Sequence, residues 1–191
     1  MTVGIILAGG SSSRMGQPKA LLPLGTLTMV EQVAYKLSPF CEKILIVTGA
    51  HHTQILSKLP QLECQLVFNE SHELGMFSSL RKGLSLVGPV SHVLFSPVDF
   101  ANVQSASIAA LFAAPEVAVR KPRWNQQSGH PVLIGRTAVD ELLNAPLDAS
   151  AKQILSTLPS RYVEVDDPGV VQDCDTPADY QKLLSSWQES R

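Results

Sequence analysis

Val3-Gly4-Ile5-Ile6-Leu7-Ala8 runs directly into Gly9-Gly10-Ser11-Ser12-Ser13-Arg14-Met15-Gly16-Gln17-Pro18-Lys19. The first six residues are an apolar run with β-branched side chains, which predicts a buried strand. The second run combines glycines and serines with two cations, Arg14 and Lys19. Glycines let backbone N–H groups turn toward a ligand, and hydroxyl groups and cations add further donors for an anion. The stretch therefore predicts a strand that leads into a phosphate-binding loop.

Two common phosphate-binding loops are excluded by the spacing of these residues. A Walker A loop has lysine and then serine or threonine directly after its second glycine, whereas Gly16 is followed by Gln17, and Lys19 lies beyond a proline. A dinucleotide fingerprint has the spacing G-x-G-x-x-G, which Gly9, Gly10 and Gly16 do not fit. An ordinary strand-to-helix turn with polar residues is the simpler alternative. The clustering of glycines, serines and cations in so few residues argues against it.

The size and charge of the chain bound its class. Its 191 residues, 45% of them hydrophobic, suit one α/β domain over residues 1–191 with a full core. The net charge of −2 comes with scattered cations, so no nucleic-acid partner is expected. No apolar run reaches the length of a membrane span, and a strand begins at the N-terminus, so neither a membrane partner nor a signal peptide is expected. Cys41, Cys64 and Cys174 lie far apart, which favours a reducing, cytoplasmic location.

Buried strands alternate with amphipathic helices along the chain, which predicts right-handed crossovers and a mostly parallel central sheet. The predicted fold class is therefore α/β, a three-layer Rossmann-like arrangement. The pair His51-His52 opens a predicted helix and is expected to contact solvent or to cap that helix. The predicted strands lie at 3–8, 43–49, 64–68, 92–96, 116–120, 132–135 and 162–165. The predicted helices lie at 28–38, 51–59, 77–87, 103–113 and 137–144, with a last one after Pro177.

Asp99 comes just past the predicted strand at 92–96. Open α/β sheets place their ligands at the carboxyl ends of their strands, so Asp99 is expected at the same edge as the glycine-rich loop. A carboxylate beside a triphosphate would suit Mg²⁺, which prefers oxygen ligands. The alternative is that Asp99 caps the helix predicted at 103–113.

Gly75, Ser78 and Ser79 lie at the start of the helix predicted at 77–87. The free N–H groups of a helix N-terminus favour an anion or a carbonyl-rich base. A serine-capped helix without a ligand would explain the same residues.

The segment 120–131 carries three cations beside Trp124, which could bind a phosphate and stack on a flat ring. A solvated loop is an equal alternative. Near the C-terminus, Asp173 and Asp175 alternate on an extended segment and should point to one side. Thr176, by contrast, is expected to cap the last helix.

The opening stretch resembles the signature of the MobA-like nucleotidyltransferases. The matching residues are Leu7-Ala8-Gly9-Gly10, Ser13, Arg14-Met15-Gly16 and Lys19. The resemblance implies a nucleotidyltransferase fold and a loop around the triphosphate of a nucleotide. It implies that Leu7, Ala8, Gly9, Gly10 and Ser13 bind this nucleotide.

Three further stretches carry the resemblance to nearly the whole chain. Gly75-Met76-Phe77-Ser78-Ser79-Leu80 is similar to the cytidylyl type of the molybdenum cofactor enzymes and differs from the Gly-Pro-Leu-Ala-Gly of the guanylyl branch. This implies nucleotide contacts from Gly75, Ser78 and Ser79. Gly129-His130-Pro131-Val132, with Trp124 upstream, implies acceptor binding by Trp124 and His130. The segment 173–180 implies a second metal ligand, with Asp175 preferred and Asp173 as the second choice.

The resemblance implies Mg²⁺-dependent transfer of CMP from CTP to a phosphate-bearing acceptor, with molybdopterin as the expected one and a molybdoenzyme or its chaperone as a further partner. Arg14, Lys19 and Asp99 would be catalytic, and Asp99 with Asp175 would hold Mg²⁺. A guanylyl, uridylyl or sugar-phosphate nucleotidyltransferase is the first alternative. An inactive nucleotide- or cofactor-binding protein is the second. Departures from the family pattern at Phe100-Ala101 and at 147–150 are the reason for considering this inactive protein.

Overall fold

The computed structural model describes residues 1–59, 63–146 and 148–189. The prediction made for position 147 falls outside these ranges. Within them the strands are β1 (Thr2–Ala8), β2 (Pro23–Leu24), β3 (Leu27–Thr28), β4 (Lys43–Thr48), β5 (Gln65–Phe68), β6 (His92–Pro97), β7 (Val119–Trp124), β8 (Gln127–Ser128), β9 (Val132–Gly135) and β10 (Ser160–Glu164). The helices are α1 (Met29–Leu37), α2 (His52–Lys58), α3 (Met76–Leu84), α4 (Ser105–Ala113), α5 (Arg136–Asn144), α6 (Ala151–Ser156) and α7 (Pro177–Glu189).

One large sheet carries the fold. Its strand order is β10-β7-β9-β6-β1-β4-β5, and β8 pairs with β7 at its side. Strand β1 is parallel to both β4 and β6, and β10 is parallel to β7. Strand β9 runs antiparallel to β6 and β7. The predicted mostly parallel sheet is confirmed, and β1 lies in its centre, so the loop after β1 leaves the middle of the carboxyl edge.

The alternation of side chains along β1 builds two cores, one on each face of the sheet. Ile5 and Leu7 pack with α3, α5 and α6, whereas Ile6 and Ala8 pack with α1, α4 and α7. Both Ile5 and Ile6 are fully buried. The predicted three-layer arrangement is therefore confirmed, and each face of the central strand is covered by helices.

Helix α4 is capped by Asp167 and not by Asp99, which was the alternative role considered for Asp99. Asp167 accepts hydrogen bonds from the Gln104 backbone N–H at 2.8 Å and from the Ser107 hydroxyl at 2.7 Å, at the first turn of that helix. Among the described residues, the first turn of α4 makes no hydrogen bond to Asp99, which lies at the sheet edge beside Lys19. Thr176 caps α7 as predicted, since its hydroxyl accepts from the Asp179 backbone N–H.

The largest departure from the predicted elements is at β7. The predicted strand ended at 120 and a loop followed, but β7 continues to Trp124 and turns into β8. The turn residues Asn125 and Gln126 have φ of 45° and 64°, the left-handed conformation of a tight hairpin turn. Asn-Gln lacks the glycine that usually signals such a turn, so the hairpin was missed. Of the three cations expected to lie in a solvated or ligand-binding loop, Arg120 is instead buried, with its guanidinium directed at the Leu111 and Ala114 carbonyls.

The described residues contain no helix that is both long enough and apolar enough to span a bilayer.

Candidate active site

The loop after β1 is closed by its own residues. The Ser12 hydroxyl accepts a hydrogen bond from the Lys19 backbone N–H at 3.1 Å, and the Met15 side chain is buried in the core. Ser12 and Gly16 have φ of 52° and 68°, which turn the backbone sharply at both ends of this bend. These contacts therefore hold the loop from Gly9 to Lys19 in a defined conformation.

Gly9 packs closely against α3. A Cβ atom at this position would lie 2.7 Å from Ser79 Oγ, so a larger residue would require the Ser79 hydroxyl to shift. Gly10 has no atom within 4 Å of the corresponding position. The first glycine thus brings the loop against the start of α3, and the second leaves open space beside it.

The loop and the neighbouring strand ends surround a cavity of about 290 Å³, the first cavity. It is lined by most of the residues expected to bind the nucleotide, together with the expected metal ligands. These are Leu7, Ala8, Gly9, Gly10, Ser13, Arg14, Lys19, Gly75, Ser79, Asp99 and Asp175. Residues that are up to 168 positions apart in sequence, such as Leu7 and Asp175, therefore share one site.

Lys19 lies between two carboxylates that line the first cavity. Its Nζ is 3.5 Å from Asp99 Oδ2 and donates a short hydrogen bond to Asp175 Oδ1. Arg14 Nη2 donates to the other oxygen of Asp175 at 2.7 Å. Asp99 is held here because the Val98 N–H donates to the Leu7 carbonyl at 3.0 Å, which continues the pairing of β6 with β1. The four side chains form what we call the charge cluster.

The environment moves the pKa values of the two carboxyl groups in opposite directions. Burial raises the pKa of Asp99, and the positive charge of Lys19 opposes this effect only in part. The hydrogen bond from Lys19 lowers the pKa of Asp175, and Arg14 adds to the lowering. A further cation beside Asp99 would therefore favour its ionised form.

The charge cluster fits a divalent cation. Asp99 Oδ1 is buried and has no hydrogen-bond partner among the described residues. Carboxylate oxygens are the ligands that Mg²⁺ prefers. The described residues contain no group of three or more histidine, cysteine, aspartate or glutamate side chains placed to hold a metal. Two carboxylates leave coordination positions that water and phosphate oxygens usually fill.

Asp173 and Asp175 occupy different environments although they lie two residues apart. Asp175 lines the first cavity and contacts Lys19, whereas Asp173 is exposed and is not among the described residues that line this cavity. Cys174 between them is buried. The geometry favours Asp175 over Asp173 as the residue that belongs to the site.

Ser78 and Trp124 lie outside the first cavity. The Ser78 hydroxyl is used within the fold, since it accepts from Asn69 Nδ2 at 2.9 Å and can donate to the Ser71 or Gly75 carbonyl at 2.8 Å. Trp124 packs against the core on the α1 and α4 face of the sheet and lies outside both of the cavities described for residues 1–59, 63–146 and 148–189. Because β7 continues to Trp124, this ring and Lys121 lie an odd number of residues apart and point to opposite faces.

His130 lines a second cavity of about 570 Å³ on the α3 and α6 side of the sheet. Its ring lies against Phe95 and Phe100, with centroids 6.0 Å and 4.6 Å away. Burial, with the nearby charge of Lys121, lowers the pKa of His130 to about 4. The imidazole is therefore neutral at physiological pH and adds no positive charge to this cavity.

Three residues were not predicted to belong to the site or to support it: His51 and His72, which line the first cavity, and Asn69, which contacts the lining residue Ser79. His51 lines the first cavity, and its Nε2 is 2.8 Å from the Ser11 carbonyl of the loop. His72 lines the same cavity. Asn69 is buried and its Nδ2 donates to Ser78 and Ser79 at the start of α3. Each follows β4 or β5 at the same carboxyl edge as Asp99, and that position was the signal that could have identified them.

Comparison with known proteins agrees with this arrangement. The family model described as a MobA-like NTP transferase domain matches residues 4–165. The molybdenum cofactor guanylyltransferase of Sinorhizobium fredii is 30% identical over 174 residues, 84% of this chain and 75% of its own length. The molybdenum cofactor cytidylyltransferase of Escherichia coli is 24% identical over 177 residues, 92% of both chains. The nicotine blue oxidoreductase of Paenarthrobacter nicotinovorans is 28% identical over 95% of both chains, so the reaction has to be argued from the site.

Solved structures show the same fold. The crystal structure of Rv0371c from Mycobacterium tuberculosis superposes with a TM-score of 0.86 at 26% identity and covers 96% of this chain and 97% of its own. The same mycobacterial protein has been solved in complex with manganese.

Proposed function

Since this chain belongs to the MobA-like NTP transferase family and is a nucleotidyltransferase, we propose that it transfers CMP from CTP to a phosphate-bearing acceptor and releases pyrophosphate. The proposed acceptor is molybdopterin. The charge cluster carries the proposal, because two cations and two carboxylates line the first cavity beside a glycine-rich loop.

The reaction asks for positioning and charge stabilisation. An oxygen of the acceptor phosphate attacks the α-phosphorus of CTP, a new phosphorus–oxygen bond forms, and the bond from the α-phosphorus to the bridging oxygen breaks. The electron pair leaves with pyrophosphate. A phosphate monoester is largely ionised at neutral pH because its second pKa is about 6, so the attack needs no general base. Electrostatic stabilisation of the leaving group is the larger requirement.

Lys19 and Arg14 would supply that stabilisation. In the structure both are paired with Asp175, and Lys19 also approaches Asp99. A bound triphosphate offers them a second set of negative charges in the same cavity. We propose that both cations move from the carboxylates to the phosphates when CTP binds, while the N–H groups and hydroxyls of the loop fix the β- and γ-phosphates.

Mg²⁺ is the proposed metal, held by Asp99 and Asp175. When bound, such an ion neutralises charge on the phosphate oxygens and orients them for displacement. Departure of Lys19 would leave Asp99 and Asp175 close together with no cation between them, an arrangement that repels. The manganese complex of the mycobacterial protein supports a divalent ion in this fold.

The choice of CTP over GTP is drawn from the segment Gly75 to Leu80. Its sequence is similar to the cytidylyl type, and Gly75 and Ser79 line the first cavity. The helix N-terminus at Met76 offers free N–H groups that suit the carbonyl and ring nitrogen acceptors of cytosine. A location in the cytoplasm and hand-over to a molybdoenzyme or its chaperone belong to the same proposal.

Calorimetric titration with CTP, GTP, UTP and ATP in the presence of Mg²⁺ tests the nucleotide. We expect CTP to bind most tightly and CTP with molybdopterin to release pyrophosphate. Tighter binding of GTP would place the chain in the guanylyl branch. Binding of CTP without any pyrophosphate release under the same conditions would favour an inactive nucleotide-binding protein.

A further inference from the structure

The loop between β4 and α2 packs against the glycine-rich loop that follows β1. The Ala50 N–H donates to the Gly9 carbonyl at 3.3 Å, and His51 Nε2 lies 2.8 Å from the Ser11 carbonyl oxygen. A Cβ atom on Gly49 would lie only 2.4 Å from the Gly9 carbonyl oxygen, so the two loops are in close contact. Two carbonyl groups of the glycine-rich loop are therefore directed at the loop after β4.

The two neighbouring histidines of this loop make different contacts. A carbonyl oxygen can only accept a hydrogen bond, so His51 Nε2 carries a proton and donates it to Ser11. His52 instead places its Nδ1 2.7 Å from Thr48 Oγ1, and it is not among the described residues that line either cavity. His51 is thus the histidine of this pair that lines the first cavity and contacts the glycine-rich loop.

The carbonyl contacts determine where the following N–H groups point. The C=O and N–H of a trans peptide are directed to opposite sides. Because the Ser11 carbonyl points to His51, the Ser12 N–H points away from His51. In the same way, the Gly10 N–H points away from Ala50. Gly10 and Ser12 both line the first cavity, and within the described ranges neither N–H group donates a hydrogen bond.

Ser12 also has the backbone conformation of an anion-binding turn. Its φ of 52° and ψ of 31° are left-handed. Consecutive N–H groups around such a turn form a concavity that binds anions. The Ser12 hydroxyl already accepts from the Lys19 N–H at 3.1 Å, which holds the far end of the loop. The direction of the Ser12 N–H therefore depends on the contact that the Ser11 carbonyl makes with His51.

We infer that His51 is a positioning residue of the nucleotide site, which holds the Ser11 carbonyl so that the Ser12 N–H donates to a phosphate oxygen of the nucleotide. The inference rests on the proposed function for the presence of a triphosphate, but it requires neither a particular base nor a particular acceptor. In this role His51 acts through its Nε2–H group and through the loop, and not through a positive charge placed on the phosphate.

Calorimetric titration with tripolyphosphate and Mg²⁺ tests this role, because the probe has neither base nor acceptor. Leu7 and Met76 line both cavities, so a complete nucleotide or an acceptor would add contacts at this shared wall. His51→Gln places an amide donor at the position of Nε2, and we expect it to bind as tightly as the wild type. His51→Asn places the donor at the position of Nδ1, away from Ser11, and should bind about tenfold more weakly, the effect of one charge-assisted hydrogen bond.

The matched control is His52→Asn, which keeps a donor at the Nδ1 position beside Thr48 and should retain wild-type affinity. Thermal unfolding of each variant confirms that it is folded. Equal weakening in His51→Gln and His51→Asn would assign the effect to the charge or ring of His51 and overturn the inference. Wild-type affinity in a folded His51→Asn variant would overturn it as well.

The amide resonance of Ser12 gives a direct readout that loss of stability alone does not change. Addition of tripolyphosphate should move the Ser12 amide proton downfield in the wild type and in His51→Gln, and less in His51→Asn. A Ser12 resonance that stays in place in the wild type would overturn the inference without any variant. Tripolyphosphate binding that depends on His51, without pyrophosphate release from CTP and molybdopterin, would instead contradict the proposed function alone. Failure of the wild type to bind tripolyphosphate would contradict both.

Discussion

Lys19 is the residue on which the charge cluster depends, because its ammonium group contacts both Asp99 and Asp175. We expect Lys19→Ala to lower pyrophosphate release about 10²-fold or more at saturating CTP and Mg²⁺, the effect of losing one key electrostatic contact. Lys82→Ala removes a lysine outside both cavities and should retain wild-type turnover. Wild-type turnover in a folded Lys19→Ala variant would contradict the assigned role.

The residues around Lys19 were predictable because their signal is local. Gly9, Gly10, Arg14 and Lys19 lie within one short loop, so their chemistry can be read in the sequence before any fold is known. Ser78 shows the limit of such an argument. Ser78 is the neighbour of Ser79 in sequence, but its hydroxyl is hydrogen-bonded to Asn69 and to the Ser71 carbonyl inside the protein and does not line the first cavity. These contacts come from other segments and could not be predicted from the sequence around Ser78.

At the scale of elements, the end of β6 and the segment before α7 bring Asp99 and Asp175 together. We expect Asp99→Asn and Asp175→Asn each to reduce Mg²⁺-dependent turnover strongly, and the double variant to lose little beyond the worse single one, because groups that act as one unit are not additive. Asp173→Asn changes an exposed carboxylate of the same segment and should have no effect. Turnover over a Mg²⁺ titration measures all four variants. Fully multiplicative losses would show that the two aspartates do not serve one ion.

Strands and helices with strong apolar periodicity were predicted to within a few residues, and the hairpin of β7 and β8 was not. Its turn consists of Asn125 and Gln126, which both have a left-handed backbone conformation. The sequence Asn-Gln does not by itself predict this conformation. This difference affects Trp124, which was expected to bind the acceptor. Because β7 extends to Trp124, the alternation of side chains along the strand places the Trp124 ring in the core and Lys121 at the second cavity. Lys121 and Lys152 line one cavity but come from different elements. Their proximity depends on which residues of β7 point to that face of the sheet, so it cannot be predicted from either segment alone.

Stability against pH is a property of the whole molecule to which His130 contributes. Its pKa is about 4 in the folded protein and 6.5 in an unconstrained chain. Between these values the unfolded chain binds a proton that the native protein does not, so the free energy of unfolding falls as the pH drops from 6.5 toward 4. The contribution is about 3 kcal/mol at most. Urea unfolding at several pH values should show a shallower decline for His130→Asn than for the wild type. An equal decline in the wild type and in His130→Asn would contradict the conclusion that His130 lowers the free energy of unfolding at acidic pH.

The wall that Leu7 and Met76 give to both cavities has a consequence for the departure of the product. The second cavity contains His130, the residue expected to bind the acceptor, so the product of the proposed reaction would lie across this wall and contact both cavities. Such a product would keep contacts that each substrate made separately and would therefore dissociate more slowly than either. Leu74 lines the second cavity and stays largely exposed to solvent, so on the same proposal a receiving molybdoenzyme or chaperone would collect the product on this side of the protein.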